Sequence, residues 1–151
     1  MRCVIQRVSR AKVVADGVLS GSIGAGLMIL LGVKVGDSKE DADYIAKKVA
    51  GMRIFSDSEG LMNVSTTDAG AECMVVSQFT LFGKTRHGNR PSFIDAARPE
   101  EAIPLYEYFV ETLGKLIGKK IATGVFGADM KIDMEADGPV TIVIDTENKE
   151  F

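Results

Sequence analysis

Polar and apolar positions along the chain change period several times, and each change predicts an element. Arg2 to Val8 and Ala11 to Asp16 interleave apolar and polar residues as strands do, with Ser9-Arg10 between them. Asp16-Gly17 is a strong hairpin signal, and Val18 to Ile23 reads as the returning strand. After Gly24-Ala25-Gly26, Leu27 to Val33 is apolar on both faces, which predicts a central strand covered on both sides. From Ser38 the period lengthens. Ser38 is an N-cap candidate with Asp41 three residues on, a variant of the capping box, and the helix should run to about Ala50. Tyr44, Ile45, Lys48 and Val49 give it an amphipathic pattern. Arg53 to Phe55 predicts a short strand, Ser56 to Gly60 a turn, and Glu72 to Phe82 the longest strand. Lys84 to Pro91 is a polar, basic loop. Pro99-Glu100-Glu101 opens a second helix, because Pro suits the first turn and acids suit the positive dipole end. Leu105, Tyr108, Phe109, Thr112, Leu113 and Leu116 mark its expected buried stripe, and Gly118 its end. Lys120 to Phe126, Met130 to Glu135 and Val140 to Asp145 are strand-like, with Asp137-Gly138 as the turn between the last two. A strand-rich pattern with two helices predicts α/β or α+β with a mixed sheet.

Composition narrows this picture. The 151 residues are 46% hydrophobic and carry no repeats or linkers, so a single domain over 1–151 is expected. Cys3 and Cys73 form no CxxC pair, and Met1 to Arg7 is too charged and short to be a signal segment. The longest apolar stretch, Gly26 to Val33, is far short of a membrane span. A cytoplasmic protein with free thiols and no membrane partner is the expectation. The net charge of −3 argues against gripping long duplex nucleic acid, but leaves room for one nucleic-acid end on a local basic patch.

Candidate chemistry concentrates on the longest predicted strand. If side chains alternate faces throughout it, Ser77, Gln78 and Thr80 are polar groups in an apolar setting. They could simply bond to neighbouring backbone, or they could form a site. The basic loop that follows, with Lys84, Arg86, His87 and Arg90, is either solvated or a phosphate-contacting rim. Zinc chemistry needs several His, Cys or carboxylate ligands, and one His with two scattered Cys argues against it. A Cys73–His87 pair is a conceivable nucleophile and base, though Cys73 opens an apolar strand. Gly21 to Gly26 lies between strands, which is the wrong context for a phosphate-binding loop.

Ser77-Gln78-Phe79-Thr80-Leu81 is similar to the signature of D-aminoacyl-tRNA deacylases, and Gly138-Pro139-Val140-Thr141 resembles their second, Gly-Pro signature. The resemblance extends over Val4 to Val8, Arg53-Ile54-Phe55, Met62-Asn63, Arg90 to Phe93 and Gly124 to Met130, nearly the whole chain. It departs at Ala136, where the family usually has Asn, and at Leu61, where Lys is common.

The resemblance implies a three-layer β/β/α sandwich, a homodimer with active sites at the subunit interface, and no metal or organic cofactor. It implies hydrolysis of the ester joining a D-amino acid to the 3′ end of tRNA. It places catalysis on Ser77, Gln78, Phe79 and Thr80, with backbone N–H groups near Phe79 and Thr80 as an oxyanion hole. A cis Gly138-Pro139 motif, entering the partner's site, would occupy the space an L side chain needs. Arg7 would brace that motif, and Phe126, Gly127, Ala128, Asp129 and Met130 would line the terminal-adenosine pocket. Lys84, Arg86 and Arg90 would contact the tRNA. A filter built on excluding a side chain cannot exclude glycine, so glycyl-tRNA joins the expected substrates. The alternatives are a non-catalytic module that binds the tRNA acceptor end, and a Cys73–His87 hydrolase.

Overall fold

A computed structural model describes residues 1–150. The elements run in chain order as β1 (Arg2–Ala15), β2 (Val18–Ile23), β3 (Gly26–Gly32), α1 (Lys39–Gly51), β4 (Phe55–Ser56), β5 (Met62–Val64), β6 (Glu72–Ser77), a 3₁₀ turn (Phe79–Phe82), α2 (Pro99–Ile117), β7 (Ala122–Thr123) and β8 (Met130–Asp145). Six strands form one mixed sheet in the order β2-β1-β3-β6-β7, with β8 pairing β1. β3, β6 and β7 are parallel neighbours joined through α1 and α2, as crossover units require, while β1 is antiparallel to β2, β3 and β8. The free edges nearly meet: Ser20 Oγ on β2 donates to the Thr123 carbonyl on β7 at 2.8 Å. The sheet is therefore almost a barrel.

Alternation along the strands sorts residues onto two cores. Cys3, Ile5, Leu27, Ile29, Leu31, Cys73 and Val75 face the helices and pack on Ile45, Val49, Phe109 and Leu113. Val8, Val13, Met28, Met74 and Val76 face inward, where the curled sheet closes on itself. Both faces of β3 and β6 are thus covered, which is why those segments read as continuous apolar runs.

Several expected boundaries move. The two N-terminal strands are one, whose pairing shifts register at Gln6/Val8 and Val8/Arg10 against β8 and at Val13/Val14 against β2. The predicted Arg53–Phe55 strand shifts to Phe55–Ser56, paired with Met62–Val64, and Lys120–Phe126 shrinks to Ala122–Thr123. The buried face of α2 is Ala102, Tyr106, Phe109, Leu113 and Ile117, whereas Leu116 is exposed. The expected stripe and the buried face both keep helical spacing and share Phe109 and Leu113, but packing against the sheet and α1 turns the buried face toward Ala102, Tyr106 and Ile117.

Two corrections bear on the site. The strand expected over Glu72 to Phe82 stops at Ser77. Gln78 N–H still donates to the Leu31 carbonyl at 2.8 Å, but the Val33 carbonyl is taken by Ala97 N–H at 2.9 Å. β6 has no ladder partner beyond that point, and the chain tightens into the 3₁₀ turn. Gly32 lets this happen: a Cβ there would lie 2.9 Å from the Gln78 carbonyl. Arg2 then fastens the turn, donating to the Leu81 carbonyl at 2.8 Å and to Asp145 at 2.7 Å. The other correction concerns the Asp137-Gly138 turn. No reversal occurs there; Met130 to Asp145 is one strand that bulges at 137–140.

The helix layer rests most heavily on Phe109, which is fully buried and among the largest such side chains. Phe109→Ala should lower the unfolding free energy by about 3–5 kcal/mol in urea denaturation. A loss under ~1 kcal/mol would mean that this layer is not packed as described.

Candidate active site

Parallel strands direct ligands to their C-terminal ends, and the site lies there. A cavity of about 290 Å³ opens where β3 and β6 finish. Leu31 and Val33 contribute from β3 and just beyond it, and Val76, Ser77, Gln78 and Phe79 from β6 and the turn. Ala102 and Tyr106 of α2 and Phe126, Gly127, Ala128 and Met130 close the other side. The volume sits at the small end of the ~300–1,000 Å³ typical of small-molecule pockets.

Seven expected site residues are therefore brought together: Ser77, Gln78, Phe79, Phe126, Gly127, Ala128 and Met130. Tyr106 was missed. Its ring lines the cavity, edge-on to Phe126 at 6.2 Å, and its buried hydroxyl donates to the Val75 carbonyl at 2.7 Å. Burial pushes the phenol well above its ordinary pKa, so it stays a neutral wall.

Thr80 is corrected. It is exposed and outside the cavity wall, not buried on a strand face. Its hydroxyl accepts a hydrogen bond from the Gln78 amide, and among the described residues no base reaches it. Ser77 and Gln78 are half-buried. The N–H groups of Phe79 and Thr80 open the 3₁₀ turn and donate to no backbone acceptor among the described residues. First-turn N–H groups are left free by helical geometry, which makes them available to a ligand oxygen.

The Gly138-Pro139 bond is cis. Between Gln6↔Thr141 and Val8↔Ala136, β1 supplies one residue and β8 four, so 137–140 bulge out opposite Arg7. Gly138 has φ +117°, and a Cβ there would lie 3.2 Å from the Arg7 guanidinium. Arg7 donates to the Asp137 carbonyl at 3.3 Å, meets the Asp137 carboxylate at 3.1 Å, and donates to the Ile54 carbonyl at 2.5 Å. Ala136, where an amide would be usual, is exposed and pairs with Val8; Arg7 supplies the bracing from the opposite strand. Gly138 and Pro139 are exposed and do not line the cavity of their own chain.

The basic loop is pinned at its base by paired backbone bonds between Lys84 and Ser92 at 2.8 and 3.0 Å. Lys84 is not a free cation, since its ammonium pairs with Asp95 at 2.7 Å. Arg86, His87 and Arg90 are exposed. Cys73 is fully buried and its thiol is pushed up to about 12 by desolvation, so it offers no thiolate to an exposed His87. Among the described residues, no three His, Cys, Asp or Glu side chains gather in a metal-holding group.

Comparison with known proteins places this arrangement. Residues 4–145 match the family model described as D-Tyr-tRNA(Tyr) deacylase. The chain is 52% identical to a D-aminoacyl-tRNA deacylase of Bacteroides thetaiotaomicron and 53% identical to one of Parabacteroides distasonis, each over 99% of this chain and 100% of the relative. Among solved structures, a c-Myc DNA unwinding element binding protein is 36% identical with a TM-score of 0.89, covering 97% of this chain and 99% of that one. A probable eukaryotic D-amino acid tRNA deacylase shares the fold at 16% identity and a TM-score of 0.82, over 95% and 97% of the two chains.

The cavity rim at 127–130 is held from the far end of β1. Ala15 pairs with Met130, Asp16 N–H donates to the Asp129 carbonyl at 3.0 Å, and Asp129 N–H donates to the Asp16 carboxylate at 3.3 Å. Asp16 has φ +47°, which Asp and Asn tolerate better than other side chains. Asp16→Ala should speed hydrogen exchange of the Asp129 amide by about tenfold, while Asp16→Asn keeps the acceptor and stays near wild type. Unchanged exchange in Asp16→Ala would show that this pair does not hold the rim.

Proposed function

The chain belongs to the D-Tyr-tRNA(Tyr) deacylase family, and from that membership we propose that it hydrolyses the ester between a D-amino acid, or glycine, and the 3′ end of tRNA. The carrying observation is the meeting of Ser77, Gln78 and Phe79 with the Phe126–Met130 rim around one nucleoside-sized cavity. The terminal adenosine occupies that cavity, and the ester carbonyl lies at its mouth beside the N–H groups of Phe79 and Thr80. Each such donor contributes roughly 10²–10³ in rate when it meets the developing oxyanion. With Thr80 lacking a base, the hydroxyl is structural, and the terminal ribose hydroxyl of the substrate positions the attacking water. No resident metal or cofactor enters this scheme.

Chirality is assigned to backbone. A side-chain pocket would have to reject many L-residue shapes, whereas carbonyls near the α-carbon meet a feature common to all of them. The 137–140 bulge is exposed, braced by Arg7, and absent from the cavity of its own chain. It therefore completes a partner subunit's site, in a homodimer whose protomers are three-layer β/β/α sandwiches. A mainly apolar groove lined by Val4, Gln6, Leu30, Ile132 and Met134, with the buried Met28 beneath, lies on the same sheet and offers surface for that association. Arg86 and Arg90 meet the tRNA backbone, and Lys84 contributes through its loop, being already paired with Asp95. A cytoplasmic location accords with this substrate. Relatives named as deacylases at over 50% identity favour turnover over a non-catalytic acceptor-end module.

Purified protein with chelator present should release D-tyrosine from D-tyrosyl-tRNA, leave L-tyrosyl-tRNA intact, and cleave glycyl-tRNA measurably. No release from the D-ester would overturn the assignment. A D-ester cleaved while glycyl-tRNA fully resists would overturn the side-chain-exclusion filter alone.

A further inference from the structure

The scheme above uses the backbone N–H of Phe79 but leaves an exposed aromatic pair, the rings of Phe79 and Phe93, without a task. Phe79 is 55% and Phe93 37% solvent-exposed, and their rings meet edge to face at 5.2 Å and 77°. The pair is fixed in place. Phe93 lies against the backbone of Gly83, where a Cβ would come within 3.0 Å of the ring. The Lys84–Ser92 backbone pair holds the two limbs that carry the rings. A side chain at Gly83 would crowd the ring, so glycine suits this close approach.

Two observations and one general rule say what this surface meets. Phe79 also lines the cavity, so a ligand chain leaving the cavity on that side passes over the aromatic pair. The loop between the rings carries Arg86 and Arg90, which are exposed and, among the described residues, in no ion pair or side-chain hydrogen bond. Exposed aromatics beside unpaired guanidinium groups are the combination that holds single-stranded nucleic acid, because every unpaired base offers a π-face and its phosphate a charge. We infer that Phe93, with Phe79, is the stacking surface for the unpaired base preceding the terminal adenosine, with Arg86 and Arg90 facing its phosphates. This inference rests on the deacylase reading and extends its site by one nucleotide.

The test compares kcat/KM on D-tyrosyl-tRNA with kcat/KM on the D-tyrosyl ester of adenosine alone. Phe93→Ala should lower the ratio of the two by about 5- to 100-fold, and Phe93→Trp should restore it. Wild-type protein acting on a tRNA made abasic at the penultimate nucleotide should show the same fall, which needs no variant to fold. An equal fall on both esters in Phe93→Ala would make the ring a mere support for the turn and overturn the inference. So would an unchanged ratio, an abasic tRNA cleaved as fast as the intact one, or a Phe93→Ala chain whose sedimentation shows lost self-association. If wild-type protein cleaves neither ester, the deacylase reading falls and takes this inference with it.

Discussion

From Arg2 to Ala15, β1 runs antiparallel to β8, and this seam sets where each part of the proposed site stands. At one end Ala15 and Asp16 hold Met130 and Asp129, which fixes the cavity rim. In the middle, Arg7 faces four residues of β8 where one would be expected, so 137–140 must leave the sheet. At the other end Arg2 and Asp145 meet, and Arg2 reaches on to clamp the 3₁₀ turn. Burial alone would raise the Asp145 carboxyl's pKa, but the Glu147 N–H and the Arg2 guanidinium outweigh it and hold the group below the usual range. The clamp is therefore present above the ordinary Asp range and weakens as pH falls through the depressed value.

The same arrangement explains why so little of the proposed chemistry rests on side chains. Cys73 and Tyr106 are buried with raised pKa values, and among the described residues no base reaches Thr80 and no metal-ligating cluster forms. What the fold exposes is backbone: free N–H groups at the start of the 3₁₀ turn and carbonyls on a braced bulge. Backbone groups are fixed by strand pairing and need no rotamer ordering, which suits the proposed filter, one that would accept many D side chains and test one stereocentre.

Much of this could be read from residues in order. The Asp16-Gly17 hairpin, the doubly covered β3 and the Pro99 and Gly118 ends of α2 all appear where local pattern places them. Ser77, Gln78 and Phe79 do converge with Phe126, Gly127, Ala128 and Met130 on one cavity, whereas Asp129, expected there too, does not line it. The misses share a cause. β6 stops at Ser77 because Ala97 takes the Val33 carbonyl just beyond β3, and no pattern within Phe79-Thr80-Leu81-Phe82 reveals a distant competitor. The 137–140 bulge depends on register against Arg7, and the pairing of Lys84 with Asp95 depends on how a loop closes. Tyr106 was legible in principle, since Ala102, Tyr106, Phe109, Leu113 and Ile117 keep helical spacing. The stripe expected through Leu105, Tyr108, Phe109, Thr112, Leu113 and Leu116 keeps that spacing too, and packing against the sheet decides which side of the shared Phe109 and Leu113 is buried.

The central claim is that one subunit's cavity is completed by its partner's 137–140 bulge, and subunit mixing tests it directly. Ala128→Trp fills the cavity wall, and Gly138→Val places a side chain at φ +117° against Arg7 and Val140. Each variant alone should be inactive on D-tyrosyl-tRNA. Unfolded together and refolded, they should recover about a quarter of wild-type activity, because half the dimers are mixed and each mixed dimer holds one intact site. A mixture as inactive as either variant alone would contradict the shared site.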